Sequence, residues 1–471
     1  MTPRVSMSAG APQSMRAGIR MLAVALPVFW SMLQLYSWWT LPLNAVVFAV
    51  MLGVMAPRAM KRVKLKNIHF AALSFMAGSA VATVCAMLIE NDTLPRVPGA
   101  ALFAVGVAAS VWVRRFGTAW KAAGTLFSIP FMAILIHPLP IGISAGFFGW
   151  YLVAAAVAFI WTAIIKAIEN APDMNEPETG PSVSSSDLKK PKLLPSTKMA
   201  VQLGVATAAA FALAELVDAN NLVWPVLTVL IVHSSNRGRG DIILKGAQRT
   251  AGALIGVTIA SLVAIDLAPR DSKEIVAIFA IIIFAAAVRE YSYVFWAICI
   301  PAALVFLYSF FGQSGAEITT HLASRLIGIA LGSAVGIASG YFLLPIRFTD
   351  VAKRRLGALL SVANDFTISA ARGDIDHSAL ERLASADDEL KQFDGTAKAA
   401  RYFGFGVARR MNGAITGAHA LVKELQDETT PRDAAVYAAL AREIGAARRA
   451  LSSSAAPDET IGTILKLIER A

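Results

Sequence analysis

Residues 70–89 read FAALSFMAGSAVATVCAMLI, a run of twenty amino acids without a charged side chain. An α-helix crosses the hydrocarbon core of a bilayer with roughly 20 apolar residues, so this run is long enough to span a membrane. The sequence predicts an all-α, polytopic membrane protein with about twelve transmembrane helices. The apolar runs lie at 19–37, 41–56, 69–89, 98–113, 118–136, 143–165, 199–217, 222–235, 250–267, 274–288, 291–311 and 321–345.

The composition supports the membrane class. The chain is 56% hydrophobic and 16% charged, with a mean hydropathy of +0.58, whereas soluble domains are about 45–50% apolar and about 25% charged. Most of the net charge of +11 precedes residue 346, where membrane topology explains it better than nucleic-acid binding. Cys85 and Cys299 lie inside apolar runs, which argues against a disulfide framework or a zinc site.

The orientation follows from the distribution of Lys and Arg. These residues concentrate in the segments after the even-numbered runs, whereas the opposite loops hold only Arg96, Arg270, Lys273 and Arg325. Since cytoplasmic loops carry the excess of positive charge, we expect both termini in the cytoplasm. The run at 19–37 ends in an aromatic, interfacial sequence, which indicates a retained first helix rather than a signal peptide.

The chain divides into four predicted parts. A first six-helix half covers 1–167, a polar linker rich in Pro and Ser covers 168–197, and a second half covers 198–345. Trp-Pro or Trp-Thr-Leu-Pro opens the second helix of each half, which favours two parallel six-helix repeats. Residues 346–471 form a cytoplasmic helical bundle, with helices expected at 351–371, 378–392, 396–425, 431–452 and 458–470.

Signatures of enzymes are absent from the sequence. It has no phosphate-binding loop ending in Gly-Lys-Ser/Thr, no His-Glu-x-x-His and no Gly-x-Ser-x-Gly. Its six histidines lack metal-ligand spacing. We therefore expect no catalytic activity, no metal and no cofactor.

Two sets of glycines lie four residues apart in the second half. One set is Gly252 and Gly256, and the other is Gly328, Gly332, Gly336 and Gly340. Such spacing places the glycines on one helix face and lets a neighbouring helix approach closely. They predict tight helix packing or, as an alternative, close approach around a conduction path.

Ionisable residues at the ends of the runs are the candidate functional groups, because charges within a membrane are costly and usually face a cavity or a partner. Arg249 and Lys121 are predicted at the cytoplasmic ends of their helices, where they snorkel or attract substrate anions. Glu215, Asp218 and Arg325 are predicted near the opposite face, where a carboxylate–Arg325 pair could form a gate or a proton-coupling site. Trp224 is an interfacial anchor or the lip of a substrate cavity.

The pattern over residues 17–355 resembles the fusaric acid resistance and aromatic acid exporter family of bacterial inner-membrane proteins. Residues 248–256, QRTAGALIG, are similar to an Arg-x-x-Gly-Thr-x-x-Gly helix, although Ala253 replaces the threonine. Residues 325–345 are similar to the family's last membrane helix. Larger family members carry a sizeable soluble domain between the halves, which a linker replaces here. Plant malate channels have a distantly similar layout.

The resemblance implies a secondary efflux transporter for small organic acids, aromatic ones in particular, in the bacterial inner membrane. We expect proton coupling through Glu215 or Asp218, since the sequence has no ATPase motif. Substrate and membrane lipid are the expected partners, with a periplasmic adaptor, an outer-membrane channel and a homo-oligomer implied by resemblance. An organic-anion channel and a non-transporting membrane scaffold remain as alternatives.

Overall fold

The structure of the 471-residue chain is a computed structural model. It describes residues 11–39, 41–61, 63, 65–90, 96–136, 145–169, 194–218, 223–234, 238–264, 272–288, 293–310, 316–344, 348–373, 377–391, 393–394, 406–426 and 433–452. Most of the predicted linker at 168–197 and all of the predicted last helix at 458–470 lie outside these residues.

The chain splits into two compact units. The first comprises Met1–Met174, Leu193–Asn236 and Lys245–Leu344, and the second comprises Asn175–Lys192, Arg237–Leu244 and Pro345–Ala471.

In the described part of the chain before residue 345, the α-helices fall close to the predicted apolar runs. They are α1 (Ala11–Trp38), α2 (Leu43–Met60), α3 (Ile68–Ile89), α4 (Val97–Trp112), α5 (Thr118–Ile136), α6 (Ala145–Glu169), α7 (Pro195–Asp218), α8 (Val223–His233), α9 (Arg239–Ala264), α10 (Ser272–Val288), α11 (Tyr293–Phe310) and α12 (Ala316–Phe342).

Among the described residues, eight helical segments are long and apolar enough to cross a membrane. They are Gly18–Trp38, Leu43–Met60, Leu65–Ile89, Val97–Phe116, Ala119–Ile136, Phe147–Glu169, Pro195–Val217 and Ala323–Phe342. The helices at Val223–His233 and Tyr293–Leu307 are apolar but shorter. The segments fit a polytopic membrane protein, while twelve spans and two repeats stay predictions.

Helices from both predicted halves pack together in the first unit. α4 packs on α7, and α1 packs on α10. Buried aromatic side chains fill the first of these contacts, because the ring of Phe103 on α4 lies 4.9 Å from Phe131 on α5 and 5.5 Å from Phe211 on α7. Large apolar side chains also point outward, including Leu216 at 81% exposure. Such an exposed apolar surface is suited to lipid contact.

The second unit has a hydrophobic core of its own. Its described helices are α13 (Phe348–Ala371), α14 (His377–Lys391), α15 (Gly406–Gln426) and α16 (Ala434–Ser452), and α13 packs on each of the other three. The three-to-four-residue spacing predicted for α15 buries Met411, Ile415, Ala418 and Leu421. The predicted third tail helix at 396–425 is described only from residue 406 onward.

A charged cluster joins α14 to α15 in the second unit. The Nδ1 atom of His419 lies 2.5 Å from an Asp387 oxygen, and Nε2 lies 3.1 Å from Asp394. Lys391 pairs with Asp387 at 2.9 Å. Burial disfavours the imidazolium, but hydrogen bonds and charge from Asp387 and Asp394 outweigh this cost and raise the pKa of His419 to about 9.

We expect alkaline pH to loosen this cluster. A pKa raised from 6.5 to about 9 on folding gives stabilisation that is complete below pH 6.5 and is lost as the pH rises through about 9. The contribution is on the order of 2–3 kcal/mol. Hydrogen exchange of α14 and α15, corrected for the intrinsic effect of pH, should increase across this window. The H419Q variant should exchange fast throughout, and a wild-type-like profile in H419Q would contradict the assignment.

Candidate functional site

Glycines allow α9 to approach α11 at backbone distance. A Cβ atom on Gly252 would lie 2.6 Å from the Cβ of Ala297, and one on Gly256 would lie 2.0 Å from the carbonyl oxygen of Ile298. These distances leave no room for a side chain. The face of α9 that carries Gly252 and Gly256 therefore lies directly against α11.

A second face of α9 contacts α12 through polar groups. The Thr250 hydroxyl donates to Ser333 Oγ at 3.0 Å, and the Ser333 hydroxyl lies 3.3 Å from the Gly246 carbonyl oxygen. A Cβ atom on Gly246 would lie 2.8 Å from Ile337. These contacts connect residues 246–250 of α9 to residues 333–337 of α12.

Arg249 lies between these two faces. Each residue rotates an α-helix by about 100°, which places Arg249 about 60° from Gly246 on the α12 side and about 60° from Gly252 on the α11 side. Its side chain is only 1% exposed, and Tyr293, the first residue of α11, is close enough to interact with it electrostatically. The guanidinium therefore lies in the seam formed by α9, α11 and α12.

The guanidinium of Arg249 has unfilled hydrogen-bonding capacity. None of its three nitrogens has a hydrogen-bond partner in the part of the chain that the structure describes. A guanidinium carries five N–H donors in a planar fork, which matches the two oxygens of a carboxylate. Chemically, the seam can bind an anion.

Arg325 and Trp224 form a second cationic position in the first unit. The guanidinium carbon of Arg325 lies 4.6 Å from the centroid of the Trp224 ring, within cation–π range. Both residues are buried, at 6% and 5% exposure. The structure therefore places Trp224 inside the protein, covered by Arg325, rather than at a surface.

Glycines of α12 lie directly against the start of α8, where Trp224 and Pro225 are. Cβ atoms on Gly328 and Gly332 would lie 2.8 Å from the Cβ of Trp224 and 2.3 Å from the carbonyl oxygen of Pro225. Gly336 faces Val232 at a looser 3.2 Å, and Gly340 is buried in the same helix. The α12 glycines therefore bring α8 into contact with α12.

The predicted proton-coupling carboxylates occupy a different environment. Glu215 forms an ion pair with Arg96 at 3.2 Å, and both side chains are more than a third exposed. Asp218 is the last residue of α7. Lys121 is exposed in the first turn of α5. The pairing of Glu215 with Arg96 joins α7 to the residue before α4, and the sequence did not predict it.

The structure corrects the predicted positions of two arginines. Arg249 does not start its helix, because α9 begins at Arg239, and Arg325 lies well inside α12, which begins at Ala316. Snorkelling therefore does not describe Arg249, whose side chain is enclosed. Thr250 and Ser333 were missed as site residues, although each directly neighbours a residue of the predicted Arg-Gly or glycine pattern.

Comparison with known proteins supports the resemblance in the second half. Residues 207–339 match a family model described as fusaric acid resistance protein-like, a stretch that contains α8–α11 with parts of α7 and α12. No curated protein matches the chain at a significant level. Together with the apolar helices, the family match confirms the predicted resemblance to fusaric acid resistance proteins and indicates a multi-pass, transporter-like membrane protein.

Proposed function

We propose that the chain is a secondary exporter that moves small organic acids, aromatic ones in particular, out of the bacterial cytoplasm with the proton gradient. The observation that carries this proposal is the buried guanidinium of Arg249, whose nitrogens lack hydrogen-bond partners among the described residues. Resemblance to fusaric acid resistance proteins supports the direction of transport and the substrate class.

The energetic argument concerns the cost of keeping Arg249 buried. A buried ion without hydrogen bonds is destabilising by several kcal/mol, so a purely structural role would be served better by an apolar side chain. A carboxylate that enters the seam would supply the missing acceptors and form two charge-assisted hydrogen bonds. Arg249 is therefore the proposed binding group for the substrate carboxylate.

The other cationic residues fit successive positions along the export path. Lys121 is exposed and would raise the local concentration of anions at the entrance. Arg325 over Trp224 would form a second binding position, with a cation for the carboxylate and an indole for an aromatic ring. The substrate would meet Lys121 first, then Arg249, and then Arg325 with Trp224.

The cellular arrangement belongs to the same proposal. Lys and Arg in the loops support an inner-membrane protein with both termini in the cytoplasm. Resemblance to the family supports a periplasmic adaptor and an outer-membrane channel as partners, and self-association is proposed on the same basis.

Uptake into inverted membrane vesicles tests the function. With a radiolabelled hydroxybenzoate as the probe and an imposed pH gradient, we expect accumulation above the external concentration and collapse on addition of an uncoupler. Vesicles without the protein provide the baseline. If the probe only equilibrates, an organic-anion channel that uses the same arginine is the correct assignment, and absence of flux with a wider set of acids would refute transport of this class.

A further inference from the structure

His233 is an enclosed titratable side chain at the end of α8. It is 3% exposed, although Ser234, the next residue, is exposed. The six histidines of the chain have no metal-ligand spacing, so the sequence pattern did not distinguish this one. Imidazole is the side chain whose charge changes most readily near neutral pH. An enclosed imidazole with water one residue away suits a group that exchanges a proton.

Both ring nitrogens of His233 have oxygen neighbours. Nδ1 lies 3.2 Å from the Val229 carbonyl oxygen, one turn earlier in α8. Nε2 lies 3.2 Å from Ser339 Oγ on α12, and this hydroxyl lies 3.0 Å from the Gly336 carbonyl oxygen. A carbonyl oxygen only accepts hydrogen bonds, whereas a hydroxyl both donates and accepts. The Val229 contact therefore places a proton on Nδ1, and the Ser339 hydroxyl can serve Nε2 either as donor or as acceptor.

The same atomic positions satisfy the neutral and the protonated ring. Beside a neutral ring, the Ser339 hydroxyl donates to Nε2. Beside an imidazolium, Nε2–H donates to Ser339 Oγ, and the hydroxyl turns to donate to the Gly336 carbonyl oxygen. Rotation about one C–O bond converts the first arrangement into the second. A change of charge at His233 therefore leaves no ring nitrogen unsatisfied, which is the condition that makes burial of a polar group costly.

The helices that pack on α8 carry their carboxylates away from His233. α8 packs on α12, α7 and α5, and Lys245 of α9 is close enough to His233 for an electrostatic interaction. The titratable side chains toward this end of the packed helices are at least partly exposed: Lys198, Lys121 and Tyr341. The others belong to the opposite halves of α7 and α12: Glu215, Asp218, Glu317, His321 and Arg325. Enclosure and Lys245 act against an imidazolium, whereas the C-terminal end of a helix favours one.

α12 connects this contact to the seam that holds Arg249. Ser333, six residues before Ser339 on α12, accepts a hydrogen bond from Thr250, the residue after Arg249. A movement of α12 away from α8 would break the contact between Ser339 and His233. Because the same helix borders the seam, this movement would also change the surroundings of Arg249. Proton exchange at His233 and anion binding in the seam are therefore linked through one helix.

We propose that His233 is the group that takes up and releases the proton of the transport cycle, with Ser339 as the hydroxyl that accommodates both charge states. A proton from water adds to the lone pair of Nε2, and the same N–H bond breaks on release, so the step needs no other reactant. The assignment rests on the proposed exporter function. In it, His233 replaces Glu215 and Asp218 as the coupling residue, since Glu215 is about half exposed and already pairs with Arg96.

The first experiment measures transport by H233Q in inverted vesicles with an imposed pH gradient and radiolabelled hydroxybenzoate. Glutamine can still bond to Ser339 but cannot change its charge. Accumulation driven by the gradient should therefore fall by roughly tenfold or more, while exchange of labelled for unlabelled hydroxybenzoate continues. The control is H69Q, the same substitution at an exposed position of α3, which should keep both activities. Accumulation by H233Q at the wild-type level would overturn the coupling role.

A second measurement follows the ring itself and is independent of transport. In ¹⁵N NMR spectra of the full-length protein labelled at histidine, the signals that H233Q removes belong to His233. We expect the neutral ring to carry its proton on Nδ1 and to become an imidazolium as the pH falls. S339A should move this change to a pH about one unit lower, because the imidazolium loses a charge-assisted hydrogen bond and the neutral ring loses only an ordinary one.

The outcomes separate the two proposals. If wild-type vesicles show no flux and the ring titrates as expected, the exporter function fails while proton binding by His233 stands. A neutral ring with its proton on Nε2, or one charge state throughout the pH range in which the protein stays folded, would show that His233 is not the proton-exchanging group. If H233Q does not fold, the signals are assigned by their shift in S339A. The pH dependence of accumulation should then move with the titration in S339A, and an unchanged dependence would refute the coupling role.

Discussion

Replacement of Arg249 by methionine is expected to abolish transport of hydroxybenzoate and, at the same time, to raise the melting temperature of the protein. Methionine is close to arginine in length and fills the seam between α9, α11 and α12 without a charge. Because Arg249 is buried and its guanidinium lacks hydrogen-bond partners among the described residues, its removal relieves an unfavourable desolvation. Replacement of buried ion pairs by apolar residues is often neutral or stabilising by about 1–4 kcal/mol, and a buried ion without a partner has no pairing energy to lose.

The loss of transport should be large because the carboxylate would meet no cation in the seam. Truncation of one partner of a buried charge pair costs about 2–5 kcal/mol, which corresponds to a decrease of roughly 30-fold to 4,000-fold in substrate affinity. R249K should retain part of the affinity, since lysine keeps the charge but lacks the planar fork. Opposite changes in stability and transport distinguish substrate binding from a structural role.

The control is R448M, which makes the same substitution at an exposed position of α16 in the second unit. It should leave both the melting temperature and transport within error of the wild type. A scan of melting temperature in detergent and the vesicle assay provide the two measurements. If R249M lowers the melting temperature, Arg249 has stabilising partners and the argument for a vacant anion site is wrong.

The sequence located the apolar segments well because hydropathy is a local property. α3, predicted at 69–89, begins and ends within one residue of that range, and α5 matches the predicted 118–136. α9 differs, because hydropathy predicted its start at residue 250 and the helix begins at Arg239. An apolar run marks only the apolar length of a helix. The same helix can continue beyond that run through polar residues, as α9 does through Lys245 and Gln248.

This difference explains why the position of Arg249 could not be predicted. From the apolar run it appeared to be a terminal residue able to reach water, but α9 begins ten residues earlier, at Arg239, and Arg249 is only 1% exposed. Contacts between distant segments decide burial. For the same reason, the glycine spacing indicated a packing face on α12 but could not identify α8 as the partner, or Arg96 as the partner of Glu215.

The α9–α11 contact should be the packing contact most sensitive to a single added methyl group. In G256A, the new Cβ atom would lie 2.0 Å from the backbone oxygen of Ile298, and a backbone atom cannot move aside as a flexible side chain can. Insertion of a methyl group into a well-packed core typically costs about 1–3 kcal/mol, occasionally more. We expect G256A at or above the top of this range, with strongly reduced yield of folded protein.

A series of glycine-to-alanine variants tests this argument, because the variants differ in the distance from the added Cβ atom to its nearest neighbouring atom. The Cβ of G332A would meet the Pro225 carbonyl oxygen at 2.3 Å and that of G336A would meet the Val232 side chain at 3.2 Å, whereas G149A on exposed helix surface meets nothing within 4 Å. The melting temperature in detergent should therefore fall most in G256A, then in G332A, slightly in G336A and not in G149A. Since alanine has the higher helix propensity, by about 1 kcal/mol, any loss of stability must come from the contact. Equal melting temperatures for G256A and G149A would show that α9 and α11 are not held at backbone distance, and the seam that encloses Arg249 would then be more open than the structure indicates.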